Sequence, residues 1–165
     1  MKSFIKWTGS KYRIIEKIKP YFPAAHRLIE PFVDSAAVFL NTTYASYLLA
    51  DTNHDLIHLY QYLKKDGRIF INYCRSFFRP EFNDPEAFYH LRSVFNNSNN
   101  SRKRAALLLY LNKHCFNGLA RLIKKDNLIR LLALTNNLIS LKKKCFSFIK
   151  KHSTSPCYTP IFMRH

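Results

Sequence analysis

Acidic side chains are scarce in this chain: ten Asp and Glu stand against 27 Lys and Arg, a formal charge of +17 over 165 residues. A surface so short of acids seeks polyanions. Glycine is scarcer still, and the three that exist, Gly9, Gly67 and Gly118, all precede residue 120. The four cysteines, Cys74, Cys115, Cys145 and Cys157, lie too far apart for a paired zinc knuckle or a dense disulfide framework, which leaves free thiols and no metal site. The N-terminus has no apolar stretch with a small-residue cleavage site, and nowhere is there an uncharged apolar run long enough to cross a bilayer. These absences predict a cytoplasmic protein with no membrane partner, a monomer if soluble. At 19.5 kDa the chain is too short for a large multidomain machine, whereas 47% hydrophobic residues exclude a disordered basic tail.

What is present changes character near residue 121. Residues 1–120 carry 17 basic and 9 acidic side chains, the last 45 carry 10 and 1. Before the boundary, apolar spacing predicts a helix over 11–19 stopped by Pro20, a strand from Arg27 to Glu30 ended by Pro31, a short helix over 35–41, and a second strand from Ser46 to Asp51. A helix over 53–65 follows, with Gly67 as its stop. Strand, helix, strand, helix in that order implies a parallel sheet. Further on, Phe88, Leu91 and Phe95 mark a helix over 85–96, and Ala105, Leu108, Leu109 and Asn112 mark another, capped by Ser101 and opened by Arg102, Lys103 and Arg104. That basic triplet is either a solvated face or a phosphate contact.

Two places carry chemistry on their own terms. Residues 6–11, Lys-Trp-Thr-Gly-Ser-Lys, can form a small anion nest with Lys11 supplying charge, or can serve only to tuck Trp7 into the core. Asp51 ends the second strand, where open α/β sheets bind ligands and an acid commonly holds ribose hydroxyls; it can equally be the cap of the next helix.

Taken together, Phe4 to Tyr12, Leu28 to Val33, Val38 to Thr42, Leu49 to Ile57, Leu109 to Asn112 and Asn117 to Leu119 resemble, in order and spacing, the Dam-type bacterial DNA adenine methyltransferases that recognise GATC. The resemblance implies a partial Rossmann-like α/β sheet that binds S-adenosylmethionine over residues 1–66 and a helical target-recognition segment over 67–121. By the same resemblance Trp7 lies against the cofactor, Lys11 meets its carboxylate and Asp51 accepts hydrogen bonds from its ribose. Arg102, Lys103, Lys113 and Asn117 fall where the family begins to engage double-stranded DNA.

The departures are as informative. Where the family has Phe-x-Gly-x-Gly after the first strand, this chain has Phe32-Val33-Asp34-Ser35-Ala36. If Asp34 faces the ligand, two like charges about 5 Å apart at an effective dielectric near 20 repel by roughly 3 kcal/mol, about 100-fold in affinity. The family's catalytic Asp-Pro-Pro-Tyr is missing, so no catalytic residue is assigned and methyl transfer is not expected. The loop that reads the target sequence is missing too, which predicts non-specific DNA binding. Residues 122–165 lack that loop's pattern, but one permissible coding of 122–141, read from its third base, gives NKKGQFNTPFGSNKQPYFP, which resembles it. A single-nucleotide frameshift near codon 122 therefore predicts an out-of-frame tail that packs on nothing upstream. The alternative for the tail is a basic amphipathic helix.

Overall fold

A computed structural model of the chain describes residues 1–115, 121–123, 127–129, 138–153 and 157–162. After a turn of 3-10 helix at Lys11–Arg13 and a single α-helical turn, α1 (Ile15–Ile18), the chain enters strand β1 (Arg27–Glu30), helix α2 (Ala37–Asn41) and strand β2 (Ser46–Asp51). Pro20 follows α1 closely because proline cannot continue the ladder. The two strands pair in parallel, Arg27 opposite Ser46 and Glu30 opposite Leu49, as the alternation of strand and helix implied. β2 is buried along nearly its whole length, which suits the central strand of a parallel sheet. Its other edge pairs in parallel with β5 (Cys157–Phe162), and a separate antiparallel pair joins β3 (Arg121–Ile123) to β4 (Asn127–Ile129). β1 is left as an edge, with Ile29 60% exposed.

Helix α3 (His54–Arg75) starts where Asn53 accepts the Leu56 amide at 3.0 Å, and it buries Leu56, Ile57, Leu59, Tyr60 and Leu63. Gly67 was expected to end it. The backbone does leave helical geometry there, at φ 49° and ψ −115°, and a second helical stretch follows directly. Glycine takes that conformation without a Cβ clash, and the buried stripe of Phe70, Ile71 and Cys74 restarts the helix beyond it.

Helix α4 (Pro85–Asn97) buries Phe88, Leu91 and Phe95 as its spacing required, and the only Asp-Pro of the chain is its cap: Asp84 accepts the Ala87 amide at 3.0 Å. Helix α5 (Ser101–His114) is capped one residue earlier than expected, by Asn100, which accepts from the Lys103 amide. Arg104 binds it to α3 through a two-pronged ion pair with Asp55, at 2.8 and 2.6 Å.

Helix α6 (Leu138–Ser153) departs from the expectation that nothing after residue 121 packs on the body. Cys145 and Phe148, three residues apart and so on one face, are fully buried. Phe148 stacks on Tyr60 and meets Phe4 and Phe39 edge-on, with centroids 5.1 to 5.5 Å apart. Sequence reading saw the composition of this stretch but could not see which residues of the body awaited it.

Candidate functional site

The carboxyl ends of β1 and β2 open onto one turn, Pro31 to Ala36, and that turn gathers most of the chemistry. Its backbone is tied to β2 by the Val33 amide, which donates to the Ala50 carbonyl at 2.9 Å, and to α3 by the Tyr60 hydroxyl, which donates to the Asp34 carbonyl at 2.6 Å. Asp34 and Ala36 both lie in the left-handed region, at φ 47° and φ 57°. These are the two positions where the sequence departs from the family's glycines, so the chain keeps the glycine conformation without the glycine.

The strain has an offset at Ala36. A left-handed alanine costs about 1–2 kcal/mol. Its fully buried methyl contributes about 0.8 kcal/mol, and alanine loses less chain entropy on folding than glycine by about 0.4–1 kcal/mol. Because these nearly cancel, Ala36→Gly is expected to leave the free energy of unfolding within about 0.5 kcal/mol of the native chain, measured by urea denaturation.

Lys11 reaches into this turn. Its Nζ donates to the Phe32 carbonyl at 3.0 Å and to Oδ2 of Asp34 at 2.9 Å. The Asp34 amide in turn donates to Oδ2 of Asp51 at 3.0 Å, while Oδ1 of Asp51 accepts the Asn53 amide at 2.9 Å. Lys11 and Asp51 therefore converge on Asp34. Asp51 thus orders the backbone just before α3, whose cap is Asn53, and holds the Asp34 turn at the same time. Trp7 is half-buried against the core, and its carbonyl accepts the Ser10 amide in the turn at Gly9; Ser10 and Ser35 hydroxyls meet at 2.7 Å.

Residues that the sequence did not single out for this role hold the site. Asn112 clasps the N-terminal segment, accepting the Lys6 amide at 3.0 Å and donating to the Lys6 carbonyl at 2.7 Å. The signal was an asparagine on an apolar stripe. Glu30 is 6% exposed; its Oε2 accepts the Phe39 amide at 3.3 Å, while its Oε1 is buried with no partner.

Burial pushes the Glu30 carboxyl up to about 8, opposed by Lys11 and reinforced by Asp34 and Asp51. The folded chain thus keeps a proton that the unfolded chain releases above its ordinary value of 4.5. Stability from this group is full below that value and falls as pH rises toward 8, by roughly 3 kcal/mol at pH 7. Burial lowers Lys113 and Lys151 from 10.5 to about 8, so their contribution runs the other way, rising between those two values. Thermal melts across pH are expected to show a minimum near pH 8, and Glu30→Gln to flatten the acid side only.

The residues expected on DNA are placed differently. Arg102 pairs with Asp66, and its guanidinium sits 5.4 to 5.7 Å from the ring centres of Tyr62, Phe70 and Tyr73. Lys113 donates to the Phe4 carbonyl. Lys103 is half-buried at the start of α5, and Asn117 lies outside the described residues. Of the three that are described, Arg102 and Lys113 thus hold internal partners. Among the described residues no His, Cys, Asp and Glu side chains cluster as metal ligands, and no helix is long and apolar enough to cross a membrane.

The fold is mixed α/β, and at its strand ends Lys11 and Asp51 both hold Asp34. Residues 7–148 match the family of D12 class N6 adenine-specific DNA methyltransferases, and the chain belongs to that family. It is 48% identical over 120 residues to a DNA adenine methylase of Serratia marcescens, covering 73% of this chain and 44% of that protein. It is 43% identical over 124 residues to one of Vibrio cholerae, and 43% identical over 120 residues to one of Escherichia coli K12, covering 75% and 73% of this chain and 45% and 43% of theirs. The chain thus spans less than half the length of the relatives it matches.

For S-adenosylmethionine the fit is divided. Asp51 and Trp7 suit a nucleoside, but the cation assigned to the carboxylate already holds Asp34.

Proposed function

We propose that this chain is a non-transferring, DNA-binding member of the adenine methyltransferase family, built on a Rossmann-like sheet of the S-adenosylmethionine-dependent type. The observation that carries this reading is the match over residues 7–148 combined with the absence of Asp-Pro-Pro-Tyr from the 165 residues. These 165 residues do not carry the motif that in the family grips a flipped adenine and aligns its amino group, and a flipped base without such a pocket does not react. Full-length relatives of this type would act on GATC; here DNA is held by charge alone. Lys103 is the first candidate for a phosphate contact, since Arg102 and Lys113 already hold internal partners. The protein is assigned to the cytoplasm as a monomer.

The test is incorporation of a labelled methyl group into a GATC duplex, expected at the level of a no-protein control, together with duplex binding as a function of salt. Affinity should fall steeply with salt through counterion release and should not separate GATC from a scrambled site. Incorporation above background, or a tenfold preference for GATC, overturns the reading. For residues 122–165 the frameshift proposal has its own test: resequencing across codon 122 should restore a frame that contains Asp-Pro-Pro-Tyr downstream.

A further inference from the structure

The nucleoside end of the sheet is an acidic place in a strongly basic chain. Three of the ten acids, Glu30, Asp34 and Asp51, stand at the carboxyl ends of β1 and β2 or on the turn between β1 and α2, against one lysine, Lys11. Lys11 is committed to Asp34 at 2.9 Å and to the Phe32 carbonyl at 3.0 Å. At the same end of the sheet the Oε1 atom of Glu30, a side chain more than nine-tenths buried, has no hydrogen-bond partner among the described residues. The turn that carries Asp34 is fixed by the Tyr60 hydroxyl and the Asp51 carboxylate, so its side chain is held beside Lys11 by the fold rather than by the ion pair alone.

From this arrangement we infer that Asp34 is a specificity-determining residue: it takes the place of a ligand carboxylate on Lys11, so that the site selects an adenosine sulfonium ending in an amine and rejects one ending in an amino acid. The inference rests on the reading that this end of the sheet holds the nucleoside cofactor. A ligand carboxylate entering here must displace Asp34 from Lys11 and then lie beside it as a like charge. A ligand that ends in an ammonium alone does not compete with Asp34 for Lys11, and it can pair with the Asp34 and Asp51 carboxylates, with Lys11 as the one like charge nearby. Nothing is transferred in this step; the selection is one of binding.

A matched pair of probes separates the two ligands. S-adenosylmethionine and its decarboxylated form differ only in the carboxylate, and calorimetric titration of each into the full chain reads the preference directly. The native chain is expected to bind the decarboxylated form at least tenfold more tightly. Asp34→Asn keeps a residue that tolerates positive φ while removing the charge, and it should shift the ratio at least tenfold toward S-adenosylmethionine. Equal or tighter binding of S-adenosylmethionine by the native chain overturns the inference, as does a ratio that Asp34→Asn leaves unmoved; either result leaves the nucleoside site standing. Binding of neither probe by either protein overturns the nucleoside site itself, and this inference with it.

Discussion

Replacing Arg104 with alanine is expected to cost about 3–5 kcal/mol of folding free energy, the range for removing one partner of a buried ion pair. The side chains of Arg104 and Asp55 are 19% and 7% exposed, so water repairs little when one is lost. Arg104 also donates to the Phe95 carbonyl at 2.9 Å and lies 4.4 Å above the Phe95 ring, which joins α4 to the same guanidinium. Its removal strands the Asp55 carboxylate inside α3 and empties the space above Phe95. Lysine at 104 keeps the charge but not the fork, and should recover only part of the loss. The double variant Asp55→Ala with Arg104→Ala should be more stable than the sum of the single losses allows, because neither charge is then left unpaired. Guanidinium denaturation of the four proteins gives the answer; a single-variant cost under about 1 kcal/mol would show the pair to be a surface-like contact.

Phe148→Ala is the second large effect, also expected at about 3–5 kcal/mol. The ring is fully buried and contacts Phe4, Phe39 and Tyr60, three aromatics from three different parts of the chain. Truncation leaves a void bounded by rings that cannot collapse without moving the N-terminal segment, α2 and α3 together. The same argument predicts that a shortened chain ending at Arg121 melts several degrees lower than the full one. An unchanged melting temperature in both would show that α6 contributes nothing to stability.

How much of this was legible depends on distance along the chain. β2 was readable residue for residue, because an apolar run closed by Asp51 needs no information from elsewhere. α4 was readable from Phe88, Leu91 and Phe95 for the same reason. Arg102 and Lys113 were not: they read as surface cations, yet their partners, Asp66 and the Phe4 carbonyl, are 36 and 109 residues away, and no local pattern encodes them. Asp34 shows the same limit from the opposite side. As a sequence it is a negative charge placed against a ligand; in the fold it is a charge already answered by Lys11, 23 residues earlier. The cysteine and phenylalanine of α6 fell in a stretch whose composition suggested no evolved partner, and only tertiary packing assigns them one.

Gly67 breaks the helical geometry inside α3, whose continuous backbone packs against β2, α5 and α6. A bend of this kind interrupts the hydrogen-bond ladder without interrupting the buried stripe. The side chains buried on both sides of the bend belong to one core cluster, so opening either stretch exposes apolar surface of the other. In the language of amide hydrogen exchange, the protons of Leu59 and Ile71, on opposite sides of the bend, belong to one cooperative unit and should exchange with the same protection, whereas those at Gly67 itself should leave first.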